Sequence, residues 1–147
     1  MIVFETLFRD NEKIVYDSKE LVLIDRFILK NNSSNLELTF EEMNSQWRQG
    51  IILKTKGYFD IAEQKIENRM ILWQDTAPPK VNFNVSSEIK EIIIYNVWDT
   101  GNGVTEYWHN GAAMYIEEIQ NGKKYFCNDG YPDDDLNDLI FKLVVNE

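Results

Sequence analysis

"AMYIEEIQNGKKYFCND", residues 113–129, carries the clearest fold signal in the chain. Two runs rich in apolar residues flank Asn121–Gly122, and an Asn-Gly pair readily supplies the positive φ angles of a two-residue hairpin turn. The pair therefore predicts two antiparallel strands. Working outward, "MIVFETLF", "KIVYDS", "ELVLIDRFIL", "NLELTFEEM", "GIILKTKGYFDI", "RMILWQD", "KVNFNVS", "EIIIYNVW" and "LIFKLVV" read as further strands. They are short and rich in β-branched and aromatic residues, and several alternate apolar with polar side chains. In one of them Leu36, Leu38 and Phe40 share a side, with Glu37 and Thr39 opposite. Turn signals such as "NNSSN", "APPK" and "DTGNG" lie between the runs. The pattern predicts an all-β fold, one antiparallel β-sandwich of jelly-roll or C2-like type spanning residues 1–147. A short helix is expected only within "FDIAEQKIENRMILW", near residues 60–68. Trp47 and Trp73 read as core aromatics.

The 147 residues are 44% hydrophobic and 13% aromatic, the balance of a packed globule. A net charge of −10 argues against nucleic acid and anionic membrane surfaces, and favours cations or basic proteins as partners. The lone Cys127 excludes an intrachain disulfide, and the lone His109 speaks against a zinc or copper site. The opening "MIVFETLFRDNEK" has no basic segment followed by a long apolar run, so no signal peptide is read. No apolar run approaches the ~20 residues of a membrane-spanning helix. The chain as written is expected in the cytoplasm; a domain excised from a secreted parent would read the same.

"CNDGYPDDDLNDLIFKLVV", residues 127–145, concentrates the candidate chemistry. Pro132–Asp133 resembles a helix start, and Leu136, Leu139, Ile140, Leu143 and Val144 fall on one helical face. Against that, Ile140, Phe141, Val144 and Val145 favour a strand, the reading preferred here. As a loop entering a strand, Asp133, Asp135 and Asn137 form a D-x-D-x-N spacing followed by Asp138. Calcium takes six to eight oxygen ligands at ~2.3–2.6 Å, and alternate residues of a curling loop can aim their oxygens at one point. Without a cation such carboxylates repel one another, and with no Cys or His partner at hand a hard ion is expected, Ca²⁺ or Mg²⁺. The loop is not an EF-hand, because Asp138 and Val144 stand where that motif needs Gly and Glu. A solvated acidic surface is the competing reading.

"PDDDLNDLIFKL" also resembles the terminal signature of calcium-binding β-sandwich domains of bacterial adhesins and secreted proteins, approximately D-x-D-[FY]-[ND]-D-[LV]-[VI]-[FV]. Asp133, Asp135, Asn137, Asp138, Leu139, Ile140 and Phe141 match, and Leu136 replaces the usual aromatic. The resemblance implies a Ca²⁺ site formed by Asp133, Asp135 and Asp138, with the following strand in the core. Asn137 is then a helper, Asp134 points to solvent, and Leu136 packs inward.

A second loop, "VWDTGNGVTEYWHNG" at residues 97–111, offers Asp99, Asn102, Glu106 and Asn110. Loops cluster at the ends of a sandwich, so Asp99 and Asn128–Asp129 are candidates to meet the C-terminal acids. The competing reading for Asp99 is a turn closed on its own backbone. Among the aromatics Trp98, Tyr107, Trp108, Tyr115, Tyr125 and Tyr131, Trp108 and Tyr131 stand beside glycine-rich loops and are the expected exposed pair. With Tyr107 and Asn110 they would present a platform to a glycan or protein. Cys127 lies in a strand and reads as a buried, inert thiol. No phosphate loop, nucleophile elbow or dinucleotide fingerprint occurs. The expected function is a non-catalytic calcium-binding module whose ion orders a glycan- or protein-binding end. The alternative is a small acidic interaction protein, such as an immunity protein that neutralises a basic toxin.

Overall fold

A computed structural model describes residues 3–133 and 135–146. In chain order the elements are α1 (Phe4–Phe8), β1 (Lys13–Tyr16), β2 (Lys19–Val22), β3 (Asp25–Ile28), β4 (Ser33–Met43), β5 (Arg48–Ile61), β6 (Gln64–Trp73), β7 (Lys80–Ser87), β8 (Glu91–Asp99), β9 (Ala113–Ile119), β10 (Gly122–Asn128) and β11 (Leu139–Asn146). The strands form one curled antiparallel sheet in the order β1-β2-β9-β10-β11-β4-β7-β5-β8-β3, with β6 paired to β5. The expected all-β fold is therefore the one adopted. Among the described residues no helix is long and apolar enough to cross a membrane.

The Asn-Gly hairpin forms as read, with Asn121 at φ 63° and the register running from Gly122↔Ile119 to Asn128↔Ala113. Residues 139–146 are a strand, flanked by β10 on one side and β4 on the other. Two neighbouring ladders satisfy their backbone groups, and Leu139, Phe141 and Leu143 turn into the core. Leu136, at φ 55°, packs inward against Phe4 and Phe8.

Four local expectations are corrected. Residues 60–68 hold no helix: Ala62 and Glu63, at φ 49° and 64°, turn the chain between β5 and β6, pairing Ile61 with Gln64. The opening run is helical over Phe4–Phe8, because an i,i+4 spacing puts both phenylalanines on one buried face over Ile14, Leu21 and Ala113. "ELVLIDRFIL" breaks into β2 and β3, which pair with β9 and β8 respectively. Trp47 and Trp73 are only partly buried, and Trp73 lies under the Arg48 guanidinium at 4.3 Å.

Strand β5 joins the two regions of the curled sheet. Its Arg48–Lys54 half pairs with β8, and Gly57–Asp60 pairs with β7. Gly57 sits at the switch with φ 151°, and a Cβ there would meet the Ser86 carbonyl oxygen at 1.9 Å. The curl brings β3 over β10, where Asp25 accepts from Tyr125 Oη at 2.6 Å and pairs with Lys123 at 3.1 Å. Phe27, Ile94 and Val97 thereby share one core with Leu38, Tyr125 and Phe141.

Candidate functional site

Pairing of β11 with β4 aligns Leu139 with Met43, which brings the polar β4–β5 loop against the acidic β10–β11 loop. Asn44 N–H donates to the Asp138 carbonyl at 3.0 Å, and Asn44 Nδ2 donates to the Asn137 carbonyl at 2.9 Å. Between the loops lies a cleft of about 470 Å³ lined by Asn44, Ser45, Gln46, Trp47, Asp129, Tyr131, Asp133 and Asp138. None of the described lining residues is basic. Trp47 and Tyr131 meet edge to face at 6.4 Å, and Tyr131 is 57% exposed.

Buried Asn128 anchors the acidic loop. It donates to the Gly111 carbonyl at 3.2 Å, accepts from Leu136 N–H at 2.8 Å, and receives Asn96 Nδ2 on its carbonyl at 2.8 Å. Gly130 then passes so close to Trp98 that a Cβ would meet the indole at 2.7 Å. Asp129 is buried with both oxygens engaged. Oδ2 accepts from Ser45 Oγ at 2.6 Å and from Gln49 Nε2 at 2.9 Å, while Oδ1 accepts from Tyr131 N–H at 2.9 Å. Gln49 Nε2 also donates to the Trp47 carbonyl at 3.2 Å, and its buried Oε1 has no partner among the described residues. Asp138, only 3% exposed, accepts from Asp129 N–H at 2.9 Å.

Ionisation of Asp133 and Asp138 is opposed by their surroundings. Burial pushes the Asp138 carboxyl up to about 7; the Asp129 N–H opposes the rise, while the charges of Asp129 and Asp133 add to it. Asp133 is also raised, by burial first and against the Asp135 N–H that bonds it. A carboxyl raised above its ordinary ~3.9 keeps a proton in the folded chain that the unfolded chain has lost. Stability from this source is full below about pH 4 and is lost as pH rises through about 7. We expect the melting temperature to fall between pH 5.5 and pH 8, by an amount equivalent to roughly 1 kcal/mol after allowing for solvent in the open cleft. Asp138→Asn should flatten that slope, and an unchanged slope in the variant would refute the assignment.

No family model, curated protein or solved structure matches the chain.

Of the residues singled out from sequence, Asp129, Tyr131, Asp133 and Asp138 come together in the cleft. Asp135 is exposed, and its N–H donates to Asp133 Oδ1 at 3.4 Å. Asn137 contributes its carbonyl to Asn44, and Asp134 lies outside the described residues. Asp99 does not join the acids: its Oδ1 accepts from Gly101 and Gly103 N–H at 2.8 and 3.2 Å, a turn closed on itself. Tyr107 and Trp108 pack at tilted and edge-to-face angles with Tyr95 in a separate aromatic cluster, where Trp108 is 37% exposed at φ 61°. Asn110 is tied to α1, its N–H donating to Glu5 Oε1 at 2.6 Å. Among the described residues no three carboxylate, imidazole or thiol groups stand as a metal-holding set. Three protein donors already occupy the Asp129 carboxylate. Sequence reasoning missed Asn44, Ser45, Gln46, Trp47 and Gln49. The signal available was a lone tryptophan inside the polar "NSQWRQ" link, but only the β4–β11 pairing gives that link a neighbour.

Proposed function

We propose that the chain is a non-catalytic binding module whose acidic cleft takes a cationic group, foremost a basic side chain of a protein partner. The observation that supports this reading is the composition of the cleft wall: Asp129, Asp133 and Asp138 beside Trp47 and Tyr131, with no basic residue among the described lining residues. Carboxylates gathered without a counter-charge attract a cation, and an aromatic rim gives a guanidinium or ammonium stem a surface to pack on. The net charge of −10 would steer a basic protein toward this end. A small acidic protein that neutralises a basic toxin would work in this way. Nucleophilic catalysis has less support, because Cys127 is fully buried with its thiol pushed well up by that burial, while His109 is exposed on another loop.

Calcium held by the same acids, ordering an end that presents Trp108 and Tyr131 to a glycan or protein, is the second reading. It is supported by the opposed ionisation of Asp133 and Asp138, which a divalent cation would reverse. One melting series separates the two, run at low salt with an arginine-rich peptide and, separately, with calcium chloride. The first reading expects the peptide to raise the melting temperature by several degrees, with the effect fading in salt and absent from an Asp133→Asn, Asp138→Asn double variant. It also expects calcium to leave the temperature unchanged. A calcium shift without a peptide shift reverses the order, and no shift with either sinks both.

A further inference from the structure

A groove of about 810 Å³ opens at the opposite end of β4 and β11 from the acidic cleft. Its chemistry differs. Asn31, Asn35, Asn121 and Asn146 supply carboxamides from four separate segments, and Phe27, Ile119 and Val145 supply apolar surface between them. Strand register sets Asn146, Asn35 and Asn84 side by side across β11, β4 and β7. Their amides form a chain: Asn146 Nδ2 donates to Asn35 Oδ1 at 2.6 Å, and Asn35 Nδ2 donates to Asn84 Oδ1 at 2.9 Å. Hydrogen bonds in series polarise one another and fix the rotamers of exposed side chains that would otherwise have to be ordered on binding.

Charge selects the ligand class. Lys123 is held by Asp25 at 3.1 Å, and the other charged residues among the described lining residues, Lys30 and Glu118, are one of each sign. An ionic ligand therefore meets no strong net field here, unlike at the acidic end. Carboxamides carry donors and acceptors together, which matches hydroxyl groups that are themselves both. Apolar surface between amides suits the C–H faces of a sugar ring. We propose that this groove is a second binding site, for a neutral, hydroxyl-rich glycan, independent of the acidic cleft.

The test is a titration of the ¹⁵N-labelled full chain with cellohexaose, maltohexaose and mannohexaose, each to millimolar concentration. At least one sugar should shift the side-chain amide signals of Asn31, Asn35 and Asn146 and the backbone signal of Gly122, leaving the loop that holds Asp129 and Asp138 still. Asn146→Ala should weaken that binding about fivefold, the effect of one lost hydrogen bond. Asn31→Ala, at an exposed loop position, serves as a second variant that leaves the strands untouched. The proposal is overturned if no sugar moves the groove signals, if the shifts map to the acidic end, or if both variants bind as the wild type does.

Discussion

Asp129→Ala is expected to lower the unfolding free energy by about 2–4 kcal/mol and to abolish binding of a cationic probe at the cleft. The stability loss follows from three donors that share this one carboxylate. Ser45 Oγ, Gln49 Nε2 and Tyr131 N–H all point at it, and Gln49 is buried with its other amide atom already unpartnered. Removing the acceptor takes the partner from Ser45 Oγ and Tyr131 N–H and leaves Gln49 Nε2 with only the Trp47 carbonyl, and the β4–β5 and β10–β11 loops lose a tie that joins them. A partial offset is expected. The charge of Asp129 is one of the causes that hold the Asp138 carboxyl up at about 7, so deleting it makes Asp138 easier to ionise. The pH slope of stability should therefore flatten in the same variant. Combining Asp129→Ala with Asp138→Asn should give less than the sum of the two, since the residues touch. Urea unfolding at pH 5.5 and pH 8 measures all of this. An Asp129→Ala chain as stable as the wild type, with an unchanged pH slope, would show that the buried carboxylate does not organise the site.

Gly57→Ala should cost more, roughly 3 kcal/mol or beyond, and is the stability change that tests the fold itself. Strand β5 leaves β8 and joins β7 at this residue, and the crossing places the Gly57 α-carbon hard against β7. An added Cβ would stand 1.9 Å from the Ser86 carbonyl oxygen, and the oxygen belongs to a ladder that cannot give way. The φ of 151° is one that side-chain-bearing residues rarely adopt. Gly101→Ala is the matched control, with φ 113° but open space around the new methyl group. It should cost about 1 kcal/mol, from backbone preference alone. Equal losses in the two variants would mean that the close approach of β5 to β7 is not present in solution.

Legibility in the sequence followed how local each feature is. The Asn121–Gly122 hairpin, the alternation of Leu36, Leu38 and Phe40, and the strand at 139–146 depend on near neighbours in the chain, and all three were readable. The helix at Phe4–Phe8 was not, because its stability comes from packing on Leu21, Ala113 and Leu136, residues far along the chain. The switch at Gly57 hid inside "GIILKTKGYFDI", which reads as one strand. At the candidate site the acids were legible as a group but not their division of labour. Asp99 and Asp135 sit in the same kind of polar, turn-rich segment as Asp129 and Asp138; only tertiary pairing buries the second two and leaves the first two exposed or closed on their own turn. The other wall of the cleft, Asn44 to Trp47, belongs to a loop more than eighty residues away in sequence from Asp129.

One measurement bears most directly on the acidic cleft as a cation site: a two-dimensional ¹H–¹⁵N spectrum of the labelled chain titrated with an arginine-rich peptide at low salt. The predicted result is a set of shifts at the Trp47 indole and the Ser45, Asp129, Tyr131 and Asp138 amides. They should saturate with peptide, recede as salt is added, and disappear in Asp133→Asn, Asp138→Asn. No shifts at these residues, or shifts confined to the far end around Asn31 and Asn121, would contradict it.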